Sequence, residues 1–150
     1  MIPPTIWNQL IETLEESGKL TYVKTVFSGF RFDIEPEGLP CLMIEPTGNG
    51  EPERRMNNID YQYLDLDIYA ISDNSPHNFE KTIVGDELYK GILDIENDVR
   101  GCLKNSYTLG DTVTDIRIQP TIFGDERFGN YPIRGFRMPV RILYKQQDGV

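Results

Sequence analysis

Histidine occurs once in the 150-residue chain and cysteine twice, which removes most of the side chains from which metal centres and nucleophilic sites are built. His77 would need an activated nucleophile beside it to serve as a catalytic base, and neither Gly-x-Ser-x-Gly nor a cysteine-based signature is present. Cys41 and Cys102 have no Cys-x-x-Cys spacing and no neighbouring histidine. Each falls in an apolar segment, where a free thiol behaves as a small hydrophobe. The phosphate-loop pattern GxxxxGK[ST] and the Asn-x-Ser/Thr acceptor are both missing. No apolar run approaches the ~20 residues of a membrane span. Met1-Ile2-Pro3-Pro4 lacks the basic region and apolar stretch of a signal peptide. These absences predict a protein made and used in a reducing cytoplasm, with no membrane partner and no cofactor. Internal repeats and low-complexity tracts are absent too.

What is present suffices for one core. Hydrophobic residues make up 39% and aromatic residues 11%, with eight Tyr and seven Phe. A domain of this length buries roughly 68–70% of its extended-chain surface. The net charge of −9 is uneven: residues 1–110 carry 19 acids and 9 bases, residues 111–150 only 5 acids and 6 bases. An acidic body argues against sequence-specific nucleic-acid binding, because affinity for phosphate rests on Lys and Arg. It leaves a soluble acidic domain, or a basic C-terminal face that meets an acidic face on a neighbouring copy.

Periodicity predicts an α+β fold in the order α-β-β-β-α-β-β, one mixed or antiparallel sheet with both helices on one face. Ile6, Trp7, Leu10, Ile11 and Leu14 form the stripe of a first helix starting at Pro4 or Thr5, with Gly18 placed to end it in the left-handed conformation. Strand-like runs follow at about 21–27, 40–45 and 59–71. The third alternates cleanly, with Leu64, Leu66, Ile68 and Ala70 opposite Tyr61, Tyr63, Asp65, Asp67 and Tyr69. Ser75-Pro76 reads as the start of a second helix of about 25 residues carrying Phe79, Ile83, Leu88, Ile92, Ile95, Val99 and Leu103. A fourth run spans 112–122, and a loop rich in Gly and charge spans 123–132. A last run at 133–144 sets Phe136, Met138, Val140, Ile142 and Tyr144 against Arg137, Pro139 and Arg141. Pro139 predicts that this strand lies at an edge or is bulged.

Three places offer chemistry. Asp65 and Asp67 share one strand face about 7 Å apart by strand rise and, with Asp60, are the best cation candidate, although an exposed acidic face reads more simply. Asp94-Ile95-Glu96-Asn97-Asp98 resembles a calcium loop superficially but lacks its glycine and closing glutamate. The polar stretch 46–58 has two Gly, two Pro and almost no apolar residue, and is longer than a hairpin needs. Its Glu51, Glu53, Arg54, Arg55 and Met56 either form a solvated tip or order against a partner. Asp65, Asp67, Arg134, Arg137 and Arg141 are candidates for a contact between subunits.

The element order over nearly the whole chain, the acidic character, the long polar loop, the opening helix Ile6–Leu14, the turn at Leu39-Pro40 and the close on Ile142-Leu143-Tyr144 resemble the tail terminator, or tail completion, proteins of long-tailed bacteriophages. The resemblance is of pattern, since that family has no diagnostic motif. It implies a non-enzymatic head–tail joining protein of the virion. Such a protein forms a ring, typically a hexamer, that caps the tail tube protein, stops polymerisation and presents a surface to the head connector or neck protein. The ring would sit at the head-proximal end of the tail, and the loop from Gly48 to Asn58 would engage the tube. A different neck or head-completion factor, a metal-dependent enzyme using Asp60, Asp65 and Asp67, and a dimeric ligand-binding domain are the alternatives.

Overall fold

The computed structural model describes residues 3–50, 61–74, 81–86, 89–110, 113–128 and 131–145, with 126–128 described for the backbone alone. Among the described residues the architecture is α+β: two α-helices and one mixed six-stranded sheet. α1 spans Pro3–Glu15 and α2 Ile92–Asn105. The strands are β1 (Val26–Ser28), β2 (Cys41–Gly50), β3 (Tyr61–Asp73), β4 (Asp115–Ile118), β5 (Ile122–Phe128) and β6 (Tyr131–Lys145). The sheet order is β1-β2-β3-β6-β4, with β5 also on β6. Among the described strands only the β1–β2 pairing is parallel.

Both helices cover the same sheet face. Ile6, Leu10 and Leu14 of α1 and Ile95, Val99 and Leu103 of α2 pack on the inward residues of β2, β3 and β6. The alternation read from β3 and β6 is the one observed: Leu64, Leu66, Ile68 and Ala70, and Phe136 through Tyr144 at every second position, are buried on this face. Cys41 and Cys102 are free and buried. Trp7 packs at the edge of the core and donates its indole N–H to Ser28 Oγ at 2.8 Å, which ties α1 to β1.

Four sequence expectations are corrected. α2 has 14 residues, about half the length periodicity predicts. Residues 82–86 and 89–91 before it are not helical, and Ile92 N–H reaches Thr82 O while Leu93 N–H reaches Ile83 O. Asp94 Oδ2 accepts the backbone N–H groups of Gly85 (2.7 Å) and Gly91 (2.9 Å), so this acid caps the helix. Ile83, half of whose surface is exposed, shows that its helical spacing is fortuitous. Ser75, Pro76, His77 and Phe79 lie outside the described residues. Next, β2 runs on through Pro46 to Gly50, absorbing the proline in a register shift between Pro46 and Gly48. Asn49 Nδ2 anchors this arm on Tyr63 O and Tyr144 Oη, both at 2.9 Å. The stretch 122–128, expected to be largely loop, is β5, so one more strand follows α2 than the sequence predicts. Finally, β6 is neither an edge strand nor bulged at Pro139, since β3 pairs with it without interruption from Ile133 to Lys145. Pro139 O accepts from Gln119 N on the opposite side, where β4 has ended and β5 has not begun, so no ladder bond is asked of the missing N–H. Two smaller differences concern β1, which is only three residues long, and Gly18, which lacks a positive φ.

A buried thiol and a half-buried phenol make the fold sensitive to alkali. Burial pushes the Cys41 thiol from 9.0 up to about 12. Burial, with the Asp98 carboxylate that accepts the Tyr22 hydroxyl at 2.8 Å, drives the Tyr22 phenol well above 10.0. Both hold their protons more tightly in the folded chain than in the unfolded one. Their contribution is therefore complete below the ordinary values and declines as pH rises from 9.0 toward about 12 for Cys41 and upward from 10.0 for Tyr22. Urea midpoints are expected to fall between about pH 9 and pH 11. Combining Tyr22→Phe with Cys41→Ala should flatten that fall; an unchanged slope would assign it to other groups.

Candidate functional site

The sheet face away from the helices is built differently along its length. At one end the crossing segment between β1 and β2 lies on it. Gly29, at φ +99°, turns the chain out of β1, and its N–H reaches Ile44 O at 2.7 Å. Phe30 N–H then donates to Glu45 Oε2 at 2.9 Å. These bonds hold Phe30 edge-on against Tyr69 at 4.8 Å, with Phe32 edge-on against Phe30 at 4.7 Å. Phe30, Ile34 and Leu39 join Cys41, Met43, Ile71 and Ile133 in a second, smaller core.

Between this segment and β5 lies an apolar groove of about 410 Å³, lined by Phe30, Phe32, Tyr69, Ile71, Ile122 and Phe123 among others, with Arg137 at its margin. Two of its side chains are conspicuously solvated: Phe32 at 77% and Ile122 at 52% exposure. Single exposed apolar residues are ordinary; a contiguous set beside a strand edge marks a surface for contact. Glycine contributes to the groove, because Gly124 and Gly135 are cross-strand partners on β5 and β6.

Farther along the same face, charge replaces aromatics. Asp65 sits directly opposite Arg141, which donates Nε to Oδ1 at 2.8 Å and Nη2 to Oδ2 at 2.9 Å. The guanidinium lies 4.0 Å from the centre of the Tyr63 ring. The hydrogen bonds to Asp65 hold the Arg141 pKa above its ordinary value. Asp67 is almost buried and faces Pro139 in register, so Arg137 reaches it diagonally at 3.4 Å. Burial, then the neighbouring Asp67 charge, raises the Tyr69 phenol. Arg134 points to the other face, where it binds Asp125 at 2.8 Å and Thr82 Oγ1 at 2.9 Å.

All five interface candidates are thus engaged within one chain. Asp65 and Asp67 each answer an arginine of β6 instead of converging on a cation site. The partly exposed Asp65–Arg141 pair contributes about 0–1 kcal/mol, and the three pairs together leave little net charge for a neighbour. Among the described residues no three His, Cys, Asp or Glu side chains are grouped to hold a metal ion. Asp60, Glu51, Glu53, Arg54, Arg55 and Met56 lie outside the described residues. The groove was not among the sequence-predicted sites, although Phe27, Phe30 and Phe32 cluster in a segment with no regular period. No helix among the described residues is long and apolar enough to cross a membrane. No protein-family model matches the chain, and no curated protein matches it.

Proposed function

We propose that the protein is a structural assembly subunit of a bacteriophage tail, similar to tail terminators. It forms a ring, typically a hexamer, that caps the tail tube, ends its polymerisation and offers a surface to the head connector. The element order supports this reading, as does a sheet whose two helices occupy one face. The observation that carries it is the open aromatic groove with Phe32 and Ile122 exposed beside the β5 edge, a surface suited to protein contact. On this reading the segment with Glu51, Glu53, Arg54, Arg55 and Met56 meets the tube, and no residue acts as a catalyst.

The test is polymerisation of tail-tube subunits with the protein added, followed by negative-stain microscopy. Tubes are expected to stop growing and to carry extra density at one end. Arg54→Ala with Arg55→Ala is expected to keep the melting temperature and weaken capping about tenfold, equivalent to roughly 1.4 kcal/mol. Unrestricted growth with the unmodified protein would remove the terminator role, and binding to head connectors alone would move it to another junction of the neck. Undiminished capping by the double variant would remove the role of the arginine pair.

A further inference from the structure

Asn49-Gly50, at the end of β2, is the only Asn-Gly dipeptide in the chain. An asparagine before glycine is chemically labile, because the glycine nitrogen reaches the side-chain amide carbon with no Cβ in its way. Here the amide is held in place. Its Nδ2 donates to Tyr63 O and to Tyr144 Oη, both at 2.9 Å. The Tyr144 hydroxyl in turn donates to Gln62 Oε1 at 2.8 Å. A carbonyl oxygen only accepts, so the bond to Tyr63 fixes which end of the amide points inward. Tyr144 is fully buried, whereas Asn49 is exposed to water. The nitrogen that deamidation would expel is therefore the atom that fastens the end of β2 to β3 and β6.

We propose that Asn49 is a site of spontaneous deamidation, and that loss of its amide releases the end of β2. Gly50 N attacks Asn49 Cγ, the Cγ–Nδ2 bond breaks, and the nitrogen leaves as ammonia carrying the proton from Gly50 N. Water then opens the five-membered imide at either carbonyl and returns a proton to Gly50 N, which gives aspartate or isoaspartate. One water is consumed and one ammonia released, with no change of oxidation state. Attack requires the side chain to leave Tyr63 O and Tyr144 Oη, so local opening of the strand sets the rate. The product does not regain the old bonds. A carboxylate donates nothing, so Tyr63 O would face an oxygen where it now meets an N–H. The Tyr144 hydroxyl would be drawn from Gln62 to the new carboxylate. Isoaspartate also adds a methylene to the backbone and upsets the register beyond it. The change runs one way and adds one negative charge to a chain already at −9. It does not depend on the tail reading.

Peptide mass spectrometry tests it with the full chain, incubated folded and in urea at mildly alkaline pH. The peptide containing Asn49 is expected to gain the mass of an amide-to-acid exchange, more slowly in the folded chain than in urea. Tyr144→Phe keeps the ring and removes one of the two bonds to Nδ2. It is expected to speed conversion in the folded chain about two- to tenfold, the worth of one hydrogen bond, and to leave the rate in urea unchanged. Circular dichroism establishes that the variant folds. Asn49→Asp, which carries the product side chain, is expected to speed amide exchange at the end of β2 by a similar factor. Conversion in urea but none in the folded chain would overturn the site. Equal rates in the parent and the folded Tyr144→Phe would overturn the hold on the amide, and unchanged exchange in Asn49→Asp would overturn the release.

Discussion

Ile68→Ala is expected to lower the unfolding free energy by about 4 kcal/mol, in the upper part of the range for truncating a buried aliphatic side chain. Ile68 is fully buried at the middle of β3, flanked in register by Ile44 of β2 and Met138 of β6. Strands on both sides and helices above hold the surroundings in place, so the cavity cannot collapse. A domain has only about 5–15 kcal/mol in total, so this one change removes a large part of its margin. Urea unfolding gives the number. Ile122→Ala, at a half-exposed position, should stay within about 0.5 kcal/mol of the parent. A loss under about 1 kcal/mol for Ile68→Ala would mean that the centre of the core repacks freely.

Gly135→Val is expected to cost about 3 kcal/mol or to prevent folding, the upper part of the range for forcing atoms into a packed site. A Cβ on Gly135 would lie 2.6 Å from Ala70 O, a backbone atom that cannot rotate away. The strand has little room to move, because Gly135 is matched to Ile71 on one side and Gly124 on the other. Gly135→Ala should show the same effect more mildly. Urea unfolding with amide exchange would locate the damage in β3, β5 and β6. An alanine variant as stable as the parent would mean that the two strands separate at little cost.

The elements legible in the sequence were those whose two faces meet different solvents. β3 and the inner positions of β6 alternate because helices cover one face, and α1 shows its stripe because one side of it rests on the sheet. The misread segments are those where backbone and side-chain hydrogen bonds override periodicity. Ile83 extends the helical spacing of α2, yet Gly85, Gly91 and the carboxylate of Asp94 close a turn there instead. β5 reads as loop because its sequence, Ile-Phe-Gly-Asp-Glu-Arg-Phe, has no buried alternation. The better signal was Gly129-Asn130 between the paired Phe128 and Tyr131, a hairpin dipeptide. Pro139 pointed to an edge, since sequence alone cannot show that the neighbouring strand is interrupted beside it. The charged candidates were recognised as residues that share strands, but their partners depend on register: Asp65 and Arg141 are far apart in sequence and adjacent in space. The groove needed three separate segments and left only an aromatic cluster as a trace.

The position of β6 also dictates when the sheet can be completed. β3, β4 and β5 all wait for this one strand, and of the strand pairings its pairing with β3 joins the residues most distant in sequence. A chain emerging from the ribosome would thus present α1, β1, β2, β3 and α2 while one long edge of β3 remained open. Pairing across such separations is slow, and an open edge meanwhile is vulnerable to capture by other chains. Nascent copies made side by side on one message would run that hazard until residue 145 clears the exit tunnel.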